Sequence, residues 1–122
     1  MAGFFSRARH GRRAVRAARA EHAFEHALGI AHRWFLDRVG QVATIQYVTA
    51  PVDLDWWKKD TSAPLITSGI NADGTVALTL HRKFIEFKVT DDTLLPEVIY
   101  ELLITEWASL TGQTVAEVDP DF

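Results

Sequence analysis

The sequence predicts an α+β fold in a single domain, residues 1–122: a long N-terminal helix, a small, mainly antiparallel sheet of three or four strands, and a C-terminal helix packed on that sheet. Three observations predict it. Apolar residues recur at helical spacing before residue 40, alternate singly along stretches between residues 42 and 80, and return to helical spacing after residue 94. Helices that flank a run of strands, rather than alternating with them, belong to the α+β class.

The first helix is predicted from Arg12 to Val39, because Ala17, Ala20, Phe24, Leu28, Ala31 and Phe35 form one apolar stripe. Gly29 falls inside the pattern as a point of bending, and Gly40 stands where a helix stop belongs. Residues 42–49 (VATIQYVT) alternate and are β-branched, which predicts a strand. Residues 50–64, bounded by Pro51 and Pro64, read as a long loop. Asn71-Ala72-Asp73-Gly74 then supplies turn residues, and Val76, Leu78 and Leu80 alternate beyond it, which together predict a hairpin. Residues 83–89 (KFIEFKV) read as its continuation or as a further strand.

Asp91-Asp92-Thr93 opens the second helix, with Pro96 in its first turn, Glu97 favourable to the helix dipole and Gly112 as its stop. With Leu102 at the centre, Leu95, Val98, Ile99 and Leu110 line one face. Tyr100, Leu103 and Trp107 widen it, and Ile104 falls on the far side beside Glu97. A helix apolar over so much of its circumference is buried on more than one side. Glu106 lies within the apolar face, where burial would raise its pKa or require a basic partner such as an arginine of the first helix. The acidic tail, residues 113–122 (QTVAEVDPDF), reads as loosely held.

Composition excludes several classes of function. The chain is 48% hydrophobic and 24% charged, the balance of a folded domain rather than a disordered one. It has no cysteine, which removes disulfides, thiolate metal sites and thiol redox chemistry. No apolar run reaches the roughly 20 residues that cross a bilayer, and no apolar segment follows the basic N-terminus as in a secretory signal. A cytoplasmic location, or one inside a particle assembled in the cytoplasm, is expected. Nucleophile elbows, phosphate-binding glycine loops and zinc-ribbon spacings are absent from the sequence.

One motif does suggest catalysis. His22-x-x-Glu25-His26 has the spacing in which two histidines on one helical turn hold zinc and the glutamate activates its water. It resembles the motif of the pitrilysin-like inverted zincins. That resemblance implies His22, His26 and Glu101, 75 positions after His26, as ligands, with Glu25 as the base. A strand such as TVALTLH followed by a helix also resembles the SprT-like layout. There Glu101 would match the glutamate, while Tyr100 and Ile104 stand at the two ligand positions. The helical wheel argues against a zinc site. With Phe24 as the centre of the apolar stripe, His22 and His26 fall at about 160° and 200°, beside Arg33 and away from any core. The preferred reading is a solvated polar face with no cofactor and no metal.

Charge is distributed unevenly. Residues 1–40 carry eight arginines against Glu21, Glu25 and Asp37, a net +5, while residues 41–122 carry −8. The first twenty residues contain six arginines and no acid. Arg12, Arg16 and Arg19 share one side of the helix by spacing, and Arg9 and Arg13 another. Nucleic acid, anionic lipid or an acidic protein would each satisfy such an arm, because a guanidinium bonds two oxygens at once. With no aromatic platform among these arginines and a pI near 5.9, the arm reads either as a solvated helix end or as docking to an acidic patch on another subunit, ahead of nucleic acid. Trp56 and Trp57, adjacent in a charged loop, are either loop anchors or a partner hot spot. Ile104 and Trp107 are the expected partner face of the second helix.

The sequence therefore predicts a non-enzymatic assembly protein that joins identical or different subunits through a basic arm, an aromatic loop and an over-apolar helix. A homo-oligomer, or a small structural or connector piece of a larger complex such as a phage particle, is expected. The alternatives are a zinc hydrolase and a nucleic-acid-binding accessory domain.

Overall fold

The computed structural model describes the backbone of residues 2–49 and 64–122, and side chains from Arg19 onward. Helix α1 (Ala2–Val39) is followed by strands β1 (Ala43–Val48), β2 (Ile66–Ile70) and β3 (Val76–His81). Helix α2 (Arg82–Lys88), a 3₁₀ turn (Asp92–Leu94), helix α3 (Leu95–Thr111) and the short helix α4 (Val115–Val118) complete the chain. This is the expected α+β class, with helices packed on a small sheet.

Helix α1 is longer than its apolar stripe because alanine and arginine, which dominate its first half, are strong helix formers. The stripe holds where it is described: Phe24, Ala27, Ala31 and Phe35 are buried. The helix runs through Gly29 and stops at Gly40, whose φ of 91° is left-handed.

The sheet has the order β1-β3-β2. The hairpin forms as its turn residues dictate, with β2 antiparallel to β3 in the register Ile66↔Leu80, Ser68↔Leu78 and Ile70↔Val76. Gly74 takes a φ of 86° in the turn, and Asp73 accepts hydrogen bonds there from the Thr75 amide at 3.0 Å and from its hydroxyl at 2.6 Å. The other pairing is parallel, β1 with β3, in the register Ala43↔Val76, Ile45↔Leu78 and Tyr47↔Leu80. The sheet is thus mixed. A parallel pair needs a long connection, and local alternation does not encode strand direction.

The register sorts the side chains by face. Ile45, Tyr47, Ile66, Leu78 and Leu80 point to the helices: Phe24 packs edge-on to Tyr47, with ring centroids 5.2 Å apart, and Glu106 of α3 reaches Ser68 of β2 at 2.8 Å. The opposite face carries polar pairs, Gln46 with Thr79 and Thr67 with His81, each at 3.0 Å.

Three expectations require correction. Residues 83–88 of the stretch 83–89 are helical, not a strand, and Val89 follows as an extended cap. Arg82 and Glu86, one turn apart, pair across α2, and Phe84 and Ile85 are buried; so short an apolar run has no decisive period. The buried arc of α3 centres on Leu103 rather than Leu102. Leu95, Ile99, Tyr100, Leu103, Ile104 and Ala108 are buried, whereas Leu110 is 46% exposed. The acidic tail is held: Thr114 caps α4, and Asp119 beyond it is only 5% exposed. The extra apolar surface of α3 meets α1, the sheet and this tail within the chain.

Candidate functional site

Phe35 occupies the centre of the α1 stripe, so its neighbour Trp34, about 100° round the helix, comes to the margin of the core. There its ring stands edge-on to Tyr100 of α3, centroids 5.7 Å apart at 88°, and remains 40% exposed. Phe122 also meets Tyr100, tilted with ring centroids 5.8 Å apart, and is 56% exposed. These rings form an open aromatic groove where the end of α1, the start of α3 and the chain terminus meet.

Asp119 organises the groove. Its carboxylate accepts a short hydrogen bond from the Tyr100 hydroxyl, an ion pair from the Arg38 Nη2 at 3.2 Å, and the Asp121 amide at 3.0 Å. Arg38 also bonds Asp121 at 3.0 Å. The Tyr100 hydrogen bond is the main cause holding the Asp119 carboxyl below its ordinary range. Burial, reinforced by Asp119, pushes the Tyr100 phenol up to about 12.

The main depression has a volume of about 440 Å³ and is bounded by Glu97, Glu101, Asp119 and Asp121 around the three rings. A second depression shares Trp34 and Tyr100 and adds Asp37 and Arg38. Among the described residues, five carboxylates and one guanidinium border the two depressions; Arg38 already pairs Asp119 and Asp121, which leaves Glu97, Glu101 and Asp37 beside the rings. Carboxylates attract cationic side chains, and an aromatic face binds a guanidinium or ammonium by its quadrupole.

The residues singled out in the sequence are dispersed. Arg9, Arg12, Arg13 and Arg16 lie on α1, with side chains outside the described residues, and Arg19 is exposed. Trp56 and Trp57 lie outside the described residues altogether. Ile104, expected on a partner face, is fully buried in this chain's own core, because the wide apolar arc of α3 is covered from within. Trp107 is half-buried, edge-on to Phe35 at 6.2 Å, and so serves at least partly as an internal anchor. Glu106 is half-buried and accepts a hydrogen bond from the Ser68 hydroxyl.

His22 and His26 are exposed on α1, away from the core as the helical wheel requires. Glu25 accepts a hydrogen bond from Tyr47 at 2.7 Å, and Glu101 borders the aromatic groove instead of facing the histidines. Among the described residues, no group of three or more His, Asp or Glu side chains is placed to hold a metal ion.

A second polar cluster lies at the C-terminal ends of the parallel strands. The buried Arg82 pairs with Glu86 and approaches Glu21 of α1 at 3.9 Å, and the Tyr47 hydroxyl bridges Glu25 and, at 3.3 Å, Glu21. The hydrogen bond to Glu25 is the main reason the Tyr47 phenol rises to about 12. These contacts tie α2 and β1 to α1, a structural role. No helix among the described residues is long and apolar enough to cross a membrane.

Sequence reasoning missed the aromatic groove. Its signals were an off-stripe Trp34 beside Phe35 and a terminal aromatic, Phe122, after Asp119-Pro120-Asp121. Neither has a period that periodicity analysis detects. Comparison with models of known families, with curated proteins and with solved structures finds no match to this chain.

Proposed function

We propose that the protein is a non-enzymatic assembly component. It offers two complementary docking elements: the arginine-rich arm at the start of α1 and the acidic aromatic groove at its end. The observation that carries this reading is the groove itself, where Trp34 and Phe122 both contact Tyr100 and remain exposed beside Glu97 and Glu101. Large apolar rings kept in water beside the exposed Glu97 and Glu101 carboxylates suit a basic partner segment, because rings in a partly desolvated site act as binding hot spots. The docking is reversible and charge-steered, and its strength falls as salt rises.

Calorimetric titration of the full chain with an arginine-rich peptide unrelated to its own sequence tests this. Saturable binding that weakens with salt and is lost in Trp34→Ala is expected. No binding by monomeric protein, or equal binding by wild type and Trp34→Ala, would remove the groove as a docking site.

A further inference from the structure

We propose that the groove is filled by the arginine arm of a second copy of this chain, so that copies join head to tail. The inference rests on the reading of the groove as a site for cationic segments, and it names the occupant.

Complementarity within one sequence is the first argument. The first twenty residues contain six arginines and no acid, while Glu97, Glu101 and Asp37 border the groove beyond the Asp119 and Asp121 carboxylates that Arg38 already pairs. The second argument is geometric. Helix α1 runs unbroken from Ala2 to Val39 and carries the arm at one end and Trp34 and Arg38 at the other. At about 1.5 Å rise per residue, Arg16 stands roughly 27 Å along the axis from Trp34, and Arg12 roughly 33 Å. No arginine side chain spans that distance, so the arm cannot dock in its own groove. Along a continuous helix the arm and the groove stay apart, and another molecule is needed to bring them together.

Chemistry at the groove fits the occupant. Arg12, Arg16 and Arg19 are spaced along one side of a helix, and Glu97 and Glu101, one turn apart on α3, are both exposed at the groove rim. Arginine stacks on aromatic faces and forks onto carboxylates, which the rings and rim provide together. Because arm and groove are different surfaces, the contact is heterologous. Each added copy leaves a free arm at one end and a free groove at the other, so the series either closes into a ring or grows as an open chain.

Native mass spectrometry of the full-length protein at low salt tests the proposal with two variants. One carries Arg12→Gln, Arg16→Gln and Arg19→Gln in the arm; the other carries Glu97→Lys and Glu101→Lys at the exposed rim. Wild type is expected to give multiples of the 13.7 kDa chain that dissolve with added salt. Each variant alone is expected to remain a single chain. Mixed, they should give one dimer containing a copy of each and nothing larger, because the pair retains one working groove and one working arm.

Assembly retained by either variant alone would overturn the proposal, since the interface would then lie elsewhere. A monomeric wild type that still binds the unrelated arginine peptide would overturn self-pairing while leaving the groove a cation site. A monomeric wild type that binds no such peptide would end both readings.

Discussion

The Tyr100 hydroxyl donates to the carboxylate of Asp119, nineteen residues away, and through this bond the chain terminus is fastened to α3. Asp119 shares that carboxylate with Arg38 of α1, so one buried acid joins the first helix, the last long helix and the tail. Tyr100→Phe removes the donor and leaves the acid buried with fewer partners. A loss of about 1.5–3 kcal/mol is expected for such a hydrogen bond to a charged group, measured by urea denaturation. An unchanged midpoint would show that Arg38 alone holds the tail.

The same pair gives stability an acid limit. The Asp119 carboxyl is held below its ordinary value of 3.8, chiefly by the Tyr100 hydroxyl. A depressed carboxyl stabilises the folded state above its unfolded value, and that contribution disappears as pH falls through the folded value. Asp119→Asn should therefore flatten the loss of thermal stability on acidification below 3.8. A wild-type acid limb unchanged by the substitution would contradict the assignment.

At alkaline pH the two tyrosines act together. Both Tyr47 and Tyr100 are raised from 10 to about 12, Tyr47 mainly by its bond to Glu25 and Tyr100 mainly by burial. A raised phenol favours the folded state fully below 10, and the advantage is lost as pH climbs through 12. Ultraviolet titration of the folded protein should show little phenolate at pH 10, with ionisation and loss of stability between 10 and 12. Phenolate appearing at pH 10 in folded protein would contradict the Tyr47–Glu25 hydrogen bond or the burial of Tyr100.

Burial on α3 predicts which leucines matter. Leu103→Ala and Ile104→Ala each open space in the core and should cost about 2–5 kcal/mol. Leu110→Ala, on the exposed side, should stay within about 0.5 kcal/mol. Similar costs at Leu103 and Leu110 in chemical denaturation would mean that another subunit covers Leu110.

At the end of α3, Gly112 adopts a φ of 70° and the Gln113 amide bonds back to Ala108 at 2.9 Å. Gly112→Ala places a side chain in the left-handed region and should cost about 1 kcal/mol, seen as a lowered Tm. A neutral substitution would mean that the cap rearranges freely.

Much of the chain was determined by its sequence alone. The α1 stripe, the Asn71–Gly74 hairpin turn and the Gly40 and Gly112 stops each follow from neighbours within a few residues, where period and φ preference act directly. The outward facing of His22 and His26 followed from the helical wheel for the same reason. Tertiary structure alone decided the parallel direction of β1, the helical state of residues 82–88, the burial of Ile104 and the groove around Tyr100. Each depends on contacts between distant segments. Tyr47 meets Leu80 in the parallel register, Arg82 approaches Glu21, and Trp34 meets Tyr100, which is bonded to Asp119. A local pattern carries the period of a helix or strand, but not which other segment its spare side chains meet. The tail shows this most clearly: its acids suggest solvent, and only Tyr100 and Arg38, brought together by packing, give Asp119 a reason to be buried.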